Sequence, residues 1–185
     1  MALMYTPPGE LNSKLPEFST LSVSGKTIKN SDFAGAQGLL VMFICNHCPY
    51  VKAIEDRLIQ LGQEFKESAV KIVAVCSNDA SDYPEDSFEN IKKTWEQKNY
   101  PFEYLYDESQ SMAKNFGAVC TPDFFLYKND AEGMKLFYRG RLDDSWKDAS
   151  TVKNRELSAA IQALLAGEPM VADQKPSMGC SIKWK

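Results

Sequence analysis

A buried strand and the start of a helix meet in the segment LLVMFICNHCP, Leu39 to Pro49. Its first six residues form a continuous apolar run, which is typical of a strand covered on both faces of a sheet. From Tyr50 to Lys66 apolar residues recur every three or four positions, which predicts an amphipathic helix. A second apolar run, Lys71 to Cys76, predicts a parallel neighbour joined by a right-handed crossover. The centre of the chain is therefore predicted to be a βαβ unit of an α/β domain.

Weaker patterns on both sides of this unit complete the prediction. They indicate a β-hairpin over 18–28, a helix over 87–98, an extended segment over 102–106, a short helix over 109–116, a hairpin over 124–139 and a helix over 155–166. We expect one domain over 1–185, with an N-terminal hairpin extension (1–35), a core (36–167) and a C-terminal tail (168–185). The tail has little periodicity and is expected to lie over the surface.

Composition narrows the class of protein. The 185 residues carry 21 basic and 25 acidic side chains, a net charge of −4, with no long basic run that would attract nucleic acid. The N-terminus does not resemble a signal peptide, and the longest apolar run, 38–45, is shorter than the roughly 20 residues of a membrane helix. We therefore expect a cytoplasmic protein that binds neither nucleic acid nor membrane. Five cysteines in a reducing compartment point to thiol chemistry.

The motif Cys45-Asn46-His47-Cys48 stands where the strand meets the helix, and a C-x-x-C there is typical of a thioredoxin-like redox site. Free N–H groups and the helix dipole stabilise a thiolate at a helix start. We predict that Cys45 is the exposed attacking thiolate with a lowered pKa and that Cys48 is the buried resolving cysteine. His47, the single histidine, is predicted to favour the Cys45 anion, its alternative being a solvated turn residue. The same reasoning predicts a reduction potential above the value of about −270 mV for thioredoxin.

A zinc half-site is the alternative interpretation of this motif. A second C-x-x-C or a histidine pair would be needed to complete four ligands, and the sequence contains neither. We therefore predict redox chemistry with no metal and no bound cofactor, because the cysteine pair itself stores both electrons.

Several segments resemble one known family. They are FICNHCPYV (43–51), SND (77–79), YPEDS (83–87), CTPDFFL (120–126), RGRLDD (139–144) and GCSIKWK (179–185). Through them the chain resembles thioredoxin-fold proteins, and among these the peroxiredoxin-like group related to alkyl hydroperoxide reductase and thiol-specific antioxidant proteins (AhpC/TSA). The resemblance implies an α/β, thioredoxin-like (glutaredoxin-type) three-layer sandwich with a mixed central sheet.

The resemblance also implies that Pro122 is a cis-proline facing the C-x-x-C. Thr121 would then offer its backbone to a substrate strand, so these two residues are the expected substrate-binding site. From the sequence alone, an ordinary trans proline is the more frequent case.

One departure from the peroxiredoxin pattern P-x-x-x-T-x-x-C decides between two activities. If Cys48 is placed at the cysteine that attacks peroxide, Cys45 stands at the threonine and the hydroxyl that would orient peroxide is missing. We therefore predict a thiol-disulfide oxidoreductase acting on protein disulfides or dithiols with an external thiol donor. The alternatives are a thiol-dependent peroxidase with antioxidant activity, and a noncatalytic redox-sensing or metal-binding protein.

Three further cysteines remain. Cys120 is near the predicted site and is either a redox relay or a buried structural thiol. Cys76 ends a core strand, so burial is favoured. Cys180 lies in the polar tail, where it could resolve an oxidised Cys45, anchor the tail or be a surface thiol without a role. The direction of electron flow and the oligomeric state stay open.

Overall fold

The computed structural model describes residues 3–169 and 172–185. The strands are β1 (Leu3–Tyr5), β2 (Ser19–Ser22), β3 (Thr27–Lys29), β4 (Gly38–Phe43), β5 (Val70–Cys76), β6 (Glu103–Tyr106), β7 (Cys120–Thr121), β8 (Asp123–Asp130), β9 (Gly133–Tyr138) and β10 (Met178–Ser181). The helices are α1 (Pro49–Glu64), α2 (Phe88–Lys98), α3 (Ser111–Phe116) and α4 (Glu156–Ala166), and short 3₁₀ turns cover Asn30–Phe33, Pro84–Asp86 and Ala149–Thr151.

Seven strands form the central sheet in the order β3-β2-β6-β5-β4-β8-β9. Strand β4 is parallel to β5 and antiparallel to β8, and β5 is parallel to β6, so the sheet is mixed. Every residue of β4 is buried. Helices α1, α2 and α4 cover one face of the sheet and α3 covers the other, which gives the three-layer α/β sandwich of a thioredoxin-like fold.

Helix α1 forms as its periodicity predicts. Its buried face contains Val51, Ile54, Leu58 and Leu61, four side chains spaced three or four residues apart. Burial of an apolar side chain of this size contributes about 1.5–3 kcal/mol. This packing holds the first turn of α1, and with it the C-x-x-C, in a fixed position at the end of β4.

A second, three-stranded sheet, in the order β1-β10-β7, was not predicted. The expectation that the C-terminal tail lies over the surface is wrong for β10, because Gly179 and Cys180 are buried. A side chain at position 179 would place its Cβ 1.9 Å from the carbonyl oxygen of Thr121, so only glycine lets β10 lie this close to β7. The residues of β10, Met-Gly-Cys-Ser, include no β-branched or aromatic side chain, so the sequence carries no strand signal there.

Within the described ranges, we find no helix of the length and apolarity that a membrane span requires.

Candidate redox site

The candidate site lies where β4 ends and α1 begins. Cys48 is the N-cap residue of α1, in an extended conformation (φ −72°, ψ 121°), and Pro49 is the first helical residue. Proline suits this position because its φ is already helical and its missing N–H would have no helical partner. Cys45 lies in the preceding loop, directly after β4 and Ile44.

The structure brings four of the predicted site residues together. The Cys45 and Cys48 thiols are close enough for each to shift the pKa of the other. Cys45 Sγ lies 3.2 Å from Thr121 Oγ1, and the Cys48 thiol donates to the Thr121 carbonyl oxygen at 3.1 Å. The bond between Thr121 and Pro122 is cis, as the resemblance implied. A cis-proline edge therefore faces a pair of adjacent thiols.

The prediction that Cys45 is exposed is wrong. Cys45 is 2% exposed and Cys48 is 0% exposed. Thr121 covers Cys45 from one side, and the His47 ring, stacked on Tyr83 with centroids 4.7 Å apart, covers it from another. Sequence spacing placed Cys45 at a strand end but could not show which side chains from distant segments close over it.

The predicted order of the two pKa values is also reversed. The pKa of Cys45 is raised well above its ordinary value, first by burial, then by its hydrogen bond to Cys48 and by the negative charge of Asp86. The pKa of Cys48 is lowered, first by the hydrogen bond from Cys45 and then by one from Cys180. Backbone N–H groups of Val51 and Cys180 contribute further, and together they outweigh burial and the bond that the Cys48 thiol gives to Thr121.

The helix start explains this reversal. The sequence analysis placed the Cys45 thiolate at the helix start, whereas the helix begins four residues later, at Pro49, and Cys48 occupies its N-cap. Backbone N–H groups and the positive end of the helix dipole act over the first turn only. Cys48 therefore lies closer than Cys45 to the backbone N–H groups that favour a thiolate, which adds to the lowering of its pKa.

The sequence analysis missed Asp86, a fully buried carboxylate beneath the C-x-x-C loop. Its Oδ1 accepts the backbone N–H groups of Asn46 (2.7 Å) and His47 (3.2 Å). Its Oδ2 accepts from His47 Nδ1 (2.5 Å) and Asn78 Nδ2 (2.8 Å). Burial alone would raise the pKa of Asp86, but the bonds from His47, Asn78 and Asn46 outweigh it, so the pKa is lowered. The segment YPEDS that contains Asp86 supported the family resemblance and was the available signal.

His47 acts on the site in a different way from the one predicted. Because an ionised carboxylate can only accept, His47 Nδ1 carries the hydrogen that it shares with Asp86. The same nitrogen lies 3.7 Å from Cys45 Sγ, but its proton is directed at the carboxylate. The Nε2 atom is buried and has no hydrogen-bond partner among the described residues. His47 therefore positions the loop through Asp86 and does not donate to the Cys45 sulfur.

Cys45, His47 and Asp86 also form a set of three metal-binding side chains. One ligand atom from each lies within 4.8 Å of the others. Sulfur, imidazole nitrogen and carboxylate oxygen are all ligands of zinc. The sequence analysis missed this set because Asp86 is distant in the chain. The hydrogen bond between His47 Nδ1 and Asp86 Oδ2 already joins two of the ligands at 2.5 Å, so an ion would have to replace that bond or use Nε2.

The remaining cysteines are all buried. Cys76 is buried as predicted, and burial raises its pKa. Cys120 donates to the Pro122 carbonyl oxygen at 3.6 Å, and its pKa is raised by burial first and by Asp123 next. Cys180 is not a surface thiol: it is 2% exposed, and its pKa is raised by burial first and by Cys48 next.

The expected substrate-binding edge is occupied by the chain itself. Strand β10 pairs with β7 in antiparallel register, with Cys180 opposite Thr121 and Ser181 opposite Cys120. A partner strand can therefore pair with Thr121 only if β10 moves away.

A cavity of about 240 Å³ borders Pro122 and the start of β10. Its walls include Tyr50, Ile54, Phe124, Trp146 and Met178, and the rings of Tyr50 and Trp146 are 4.7 Å apart. A small molecule or an apolar side chain of a partner fits a space of this kind, which Pro122 links to the candidate site.

The fold, together with a dithiol at the start of the first long helix and a cis-proline opposite it, places this chain in the thioredoxin-fold class. A sequence profile of the AhpC/TSA family matches residues 11–134, and the chain belongs to that family. No match was found among curated proteins.

Solved structures agree with this assignment. An uncharacterized conserved protein from Geobacillus kaustophilus is 43% identical, with 100% of this chain and 97% of that chain covered and a TM-score of 0.93. A hypothetical protein from Sinorhizobium meliloti is 35% identical, with 98% of each chain covered and a TM-score of 0.91. A thiol:disulfide interchange protein from Chlorobium tepidum shares the fold at 14% identity, with 86% and 99% covered and a TM-score of 0.61.

Proposed function

We propose that this protein is a thiol-disulfide oxidoreductase that cycles Cys45 and Cys48 between dithiol and disulfide. The observation that carries the proposal is that Thr121 contacts both sulfurs, its hydroxyl oxygen 3.2 Å from Cys45 Sγ and its carbonyl oxygen 3.1 Å from Cys48 Sγ, while Cys45 lowers the pKa of Cys48. A stabilised thiolate with a second thiol in contact has both parts that disulfide exchange needs. The roles are the reverse of those expected from the sequence: Cys48 attacks and Cys45 resolves.

The exchange follows two displacements. The Cys48 thiolate attacks one sulfur of a partner disulfide, a mixed disulfide forms, and the other partner sulfur leaves as a thiolate and takes up a proton. Cys45 then loses its proton and attacks Cys48 Sγ, which forms the Cys45–Cys48 disulfide and releases the second partner thiol. The partner gains two electrons, and an external thiol donor returns the pair to the dithiol.

The neighbouring residues hold these sulfurs in place. Thr121 contacts Cys45 through its hydroxyl and Cys48 through its carbonyl, and Pro122 forms one wall of the adjacent cavity. His47 and Asp86 fix the loop between the two cysteines. We propose that protein disulfides or dithiols reach the sulfurs past Pro122, with Thr121 and Pro122 as the residues that contact the partner.

A thiol peroxidase is the second candidate, and one observation favours it. The Thr121 hydroxyl, 3.2 Å from Cys45 Sγ, supplies to this site a hydroxyl group that the C-x-x-C segment lacks. Burial of both sulfurs also suits a small oxidant. In that reaction the Cys48 thiolate attacks a peroxide oxygen, the O–O bond breaks, an alcohol leaves and a sulfenic acid remains. Attack by Cys45 on the sulfenic sulfur releases water and forms the same disulfide.

Parallel assays separate the two activities. Dithiothreitol-driven reduction of insulin is measured beside consumption of hydrogen peroxide, for wild type, Cys48→Ser, Cys45→Ser and the control Cys76→Ser. We expect insulin reduction by wild type and Cys76→Ser and its loss in Cys48→Ser. Peroxide consumption without insulin reduction would assign the peroxidase function. If both activities are absent and zinc is taken up with release of protons from Cys45, the noncatalytic metal-binding alternative replaces the proposal.

A further inference from the structure

Strand β10 occupies the position where a thioredoxin-fold protein would receive its substrate. Its antiparallel register puts Cys180 directly opposite Thr121, the residue before the cis-proline. The Thr121 carbonyl oxygen lies 3.1 Å from Cys48 Sγ, so this register brings Cys180 next to Cys48, and the two cysteines shift each other's pKa. The tail therefore presents a cysteine to Cys48 in the way that a bound partner strand would present one.

From this arrangement we propose that Cys180 is a second resolving cysteine. Once Cys48 has formed a mixed disulfide or a sulfenic acid, Cys180 can attack Cys48 Sγ, as Cys45 does. The inference rests on the proposed function, because it requires Cys48 to form a mixed disulfide or a sulfenic acid. It adds a third redox-active residue and an alternative disulfide, Cys48–Cys180, to the site.

The step is a thiol-disulfide exchange within one chain. Cys180 loses its proton and its sulfur attacks Cys48 Sγ in the mixed disulfide. The Cys48–Cys180 bond forms, the bond between Cys48 and the partner breaks, and the partner thiolate leaves with the proton that Cys180 lost. Starting from the Cys45–Cys48 disulfide, the same attack releases Cys45 as a thiol, with no net change in oxidation state.

The anchors of β10 keep Cys180 at Cys48. Before the strand, Ser177 Oγ donates to the Pro122 carbonyl oxygen at 2.9 Å. After it, the backbone N–H of Ile182 donates to the Val119 carbonyl oxygen at 3.1 Å and that of Lys183 to Asn78 Oδ1 at 2.9 Å. A thiol held on both sides next to its target reacts as an intramolecular group with a high effective concentration.

Oxidation of Cys48 to a disulfide removes two of the interactions that raise the pKa of Cys180. In the dithiol form the pKa of Cys180 is raised to about 12, first by burial and then by its hydrogen bond and charge interaction with Cys48. Once Cys48 is in a disulfide it carries no charge, so the second and third of these causes disappear. Lys183, which lowers the pKa of Cys180, stays in place. Oxidation of Cys48 therefore makes Cys180 a better nucleophile at the step where it is needed.

An aromatic disulfide whose thiolate product absorbs visible light tests the inference. Attack on the probe by Cys48 releases one equivalent of coloured thiolate, and resolution by a second cysteine releases another. We expect two equivalents from wild type, two from Cys45→Ser, one from Cys45→Ser/Cys180→Ser and two from the control Cys45→Ser/Cys76→Ser. Peptide mapping of oxidised Cys45→Ser should recover the Cys48–Cys180 disulfide, with the protein mass lower by two hydrogen atoms.

The outcomes separate this inference from the function on which it rests. One equivalent from Cys45→Ser, with the aromatic group retained on Cys48, overturns the role of Cys180 and leaves the oxidoreductase proposal intact. No fast release from wild type overturns the oxidoreductase proposal itself. The decisive variant, Cys45→Ser, keeps its native tail, so a folding defect in the Cys180→Ser variant does not obscure the result.

Discussion

Replacing Asp86 by asparagine tests whether a buried carboxylate holds the redox loop together. The amide has the same shape as the carboxylate, so the change leaves packing intact. It removes the negative charge and replaces one acceptor oxygen by an NH₂ group that can only donate. All four groups that Asp86 binds are donors, from Asn46, His47 (backbone and ring) and Asn78.

The expected loss of stability follows from those four bonds. Each carboxylate oxygen accepts two of them, so either orientation of the amide keeps one pair and turns an NH₂ group towards the other two donors. Hydrogen bonds to a charged group contribute about 1.5–3 kcal/mol each, and removing one partner of a buried charge pair costs about 3–5 kcal/mol. We expect Asp86→Asn to lower the free energy of unfolding by about 3–5 kcal/mol, a large fraction of the total for a domain.

Urea unfolding followed by tryptophan fluorescence measures this loss, and Asp173→Asn is the matched control. The Asp173 side chain is 77% exposed and forms a surface ion pair with Lys175, so this variant should unfold like wild type. An unfolding free energy for Asp86→Asn within about 1 kcal/mol of wild type would refute the claim that Asp86 holds the loop.

The same variant has a defined pH signature. Because the pKa of Asp86 is lowered in the folded protein, its contribution to stability is present above the ordinary carboxyl pKa of about 3.9 and is lost as the pH falls towards the folded value. Wild type should lose this stability on acidification, whereas Asp86→Asn should show no such component. The negative charge of Asp86 also raises the pKa of Cys45, so alkylation of Cys45 should begin at lower pH in the variant.

Further predictions concern the thiols, the tail and a second buried acid. Iodoacetamide should modify Cys48 with an apparent pKa below that of a free thiol, and Cys45→Ala should raise that pKa because the largest cause of its lowering is removed. A stabilised Cys48 thiolate favours the dithiol form, so equilibration with glutathione should give a potential above about −270 mV. Gly179→Ala should expose the tail to limited proteolysis, since the new Cβ would lie 1.9 Å from the carbonyl oxygen of Thr121. Burial raises the pKa of Asp123 to about 6, so the unfolding free energy should fall as the pH rises from about 4 to 6, and Asp123→Asn should remove that slope.

Local patterns were sufficient to predict the central layers of this fold. The apolar run of β4 and the three- and four-residue spacing in α1 depend only on neighbours in the chain, and both elements form where they were predicted. The hairpins and the helices α2 and α4 were predicted for the same reason, with ends that differ by a few residues. A continuous apolar run of strand length and a three- and four-residue apolar spacing are both local signals, so they do not depend on the arrangement of the loops.

The sequence analysis predicted which residues form the candidate site, but not which of its two cysteines has the lowered pKa. Sequence spacing identified Cys45 and Cys48, and the family resemblance identified Thr121 and Pro122. Which sulfur holds the negative charge depends on contacts across the fold: the first helical residue is Pro49, and the groups that lower the pKa of Cys48 include residues from the end of the chain. No pattern confined to the C-x-x-C could have shown them.

The tail shows why thiol reactivity here depends on the whole chain. Cys180 contributes a hydrogen bond to the Cys48 thiolate, so the strand that closes the substrate edge also stabilises the reactive anion. A partner strand that displaces β10 would remove this hydrogen bond unless it supplies a donor of its own in the same register. Partners that place a thiol or a backbone N–H opposite Thr121 restore the lost stabilisation. Partners without such a donor meet a less reactive Cys48 sulfur. Selectivity would then arise from replacement of the tail, and not only from the shape of the surrounding surface.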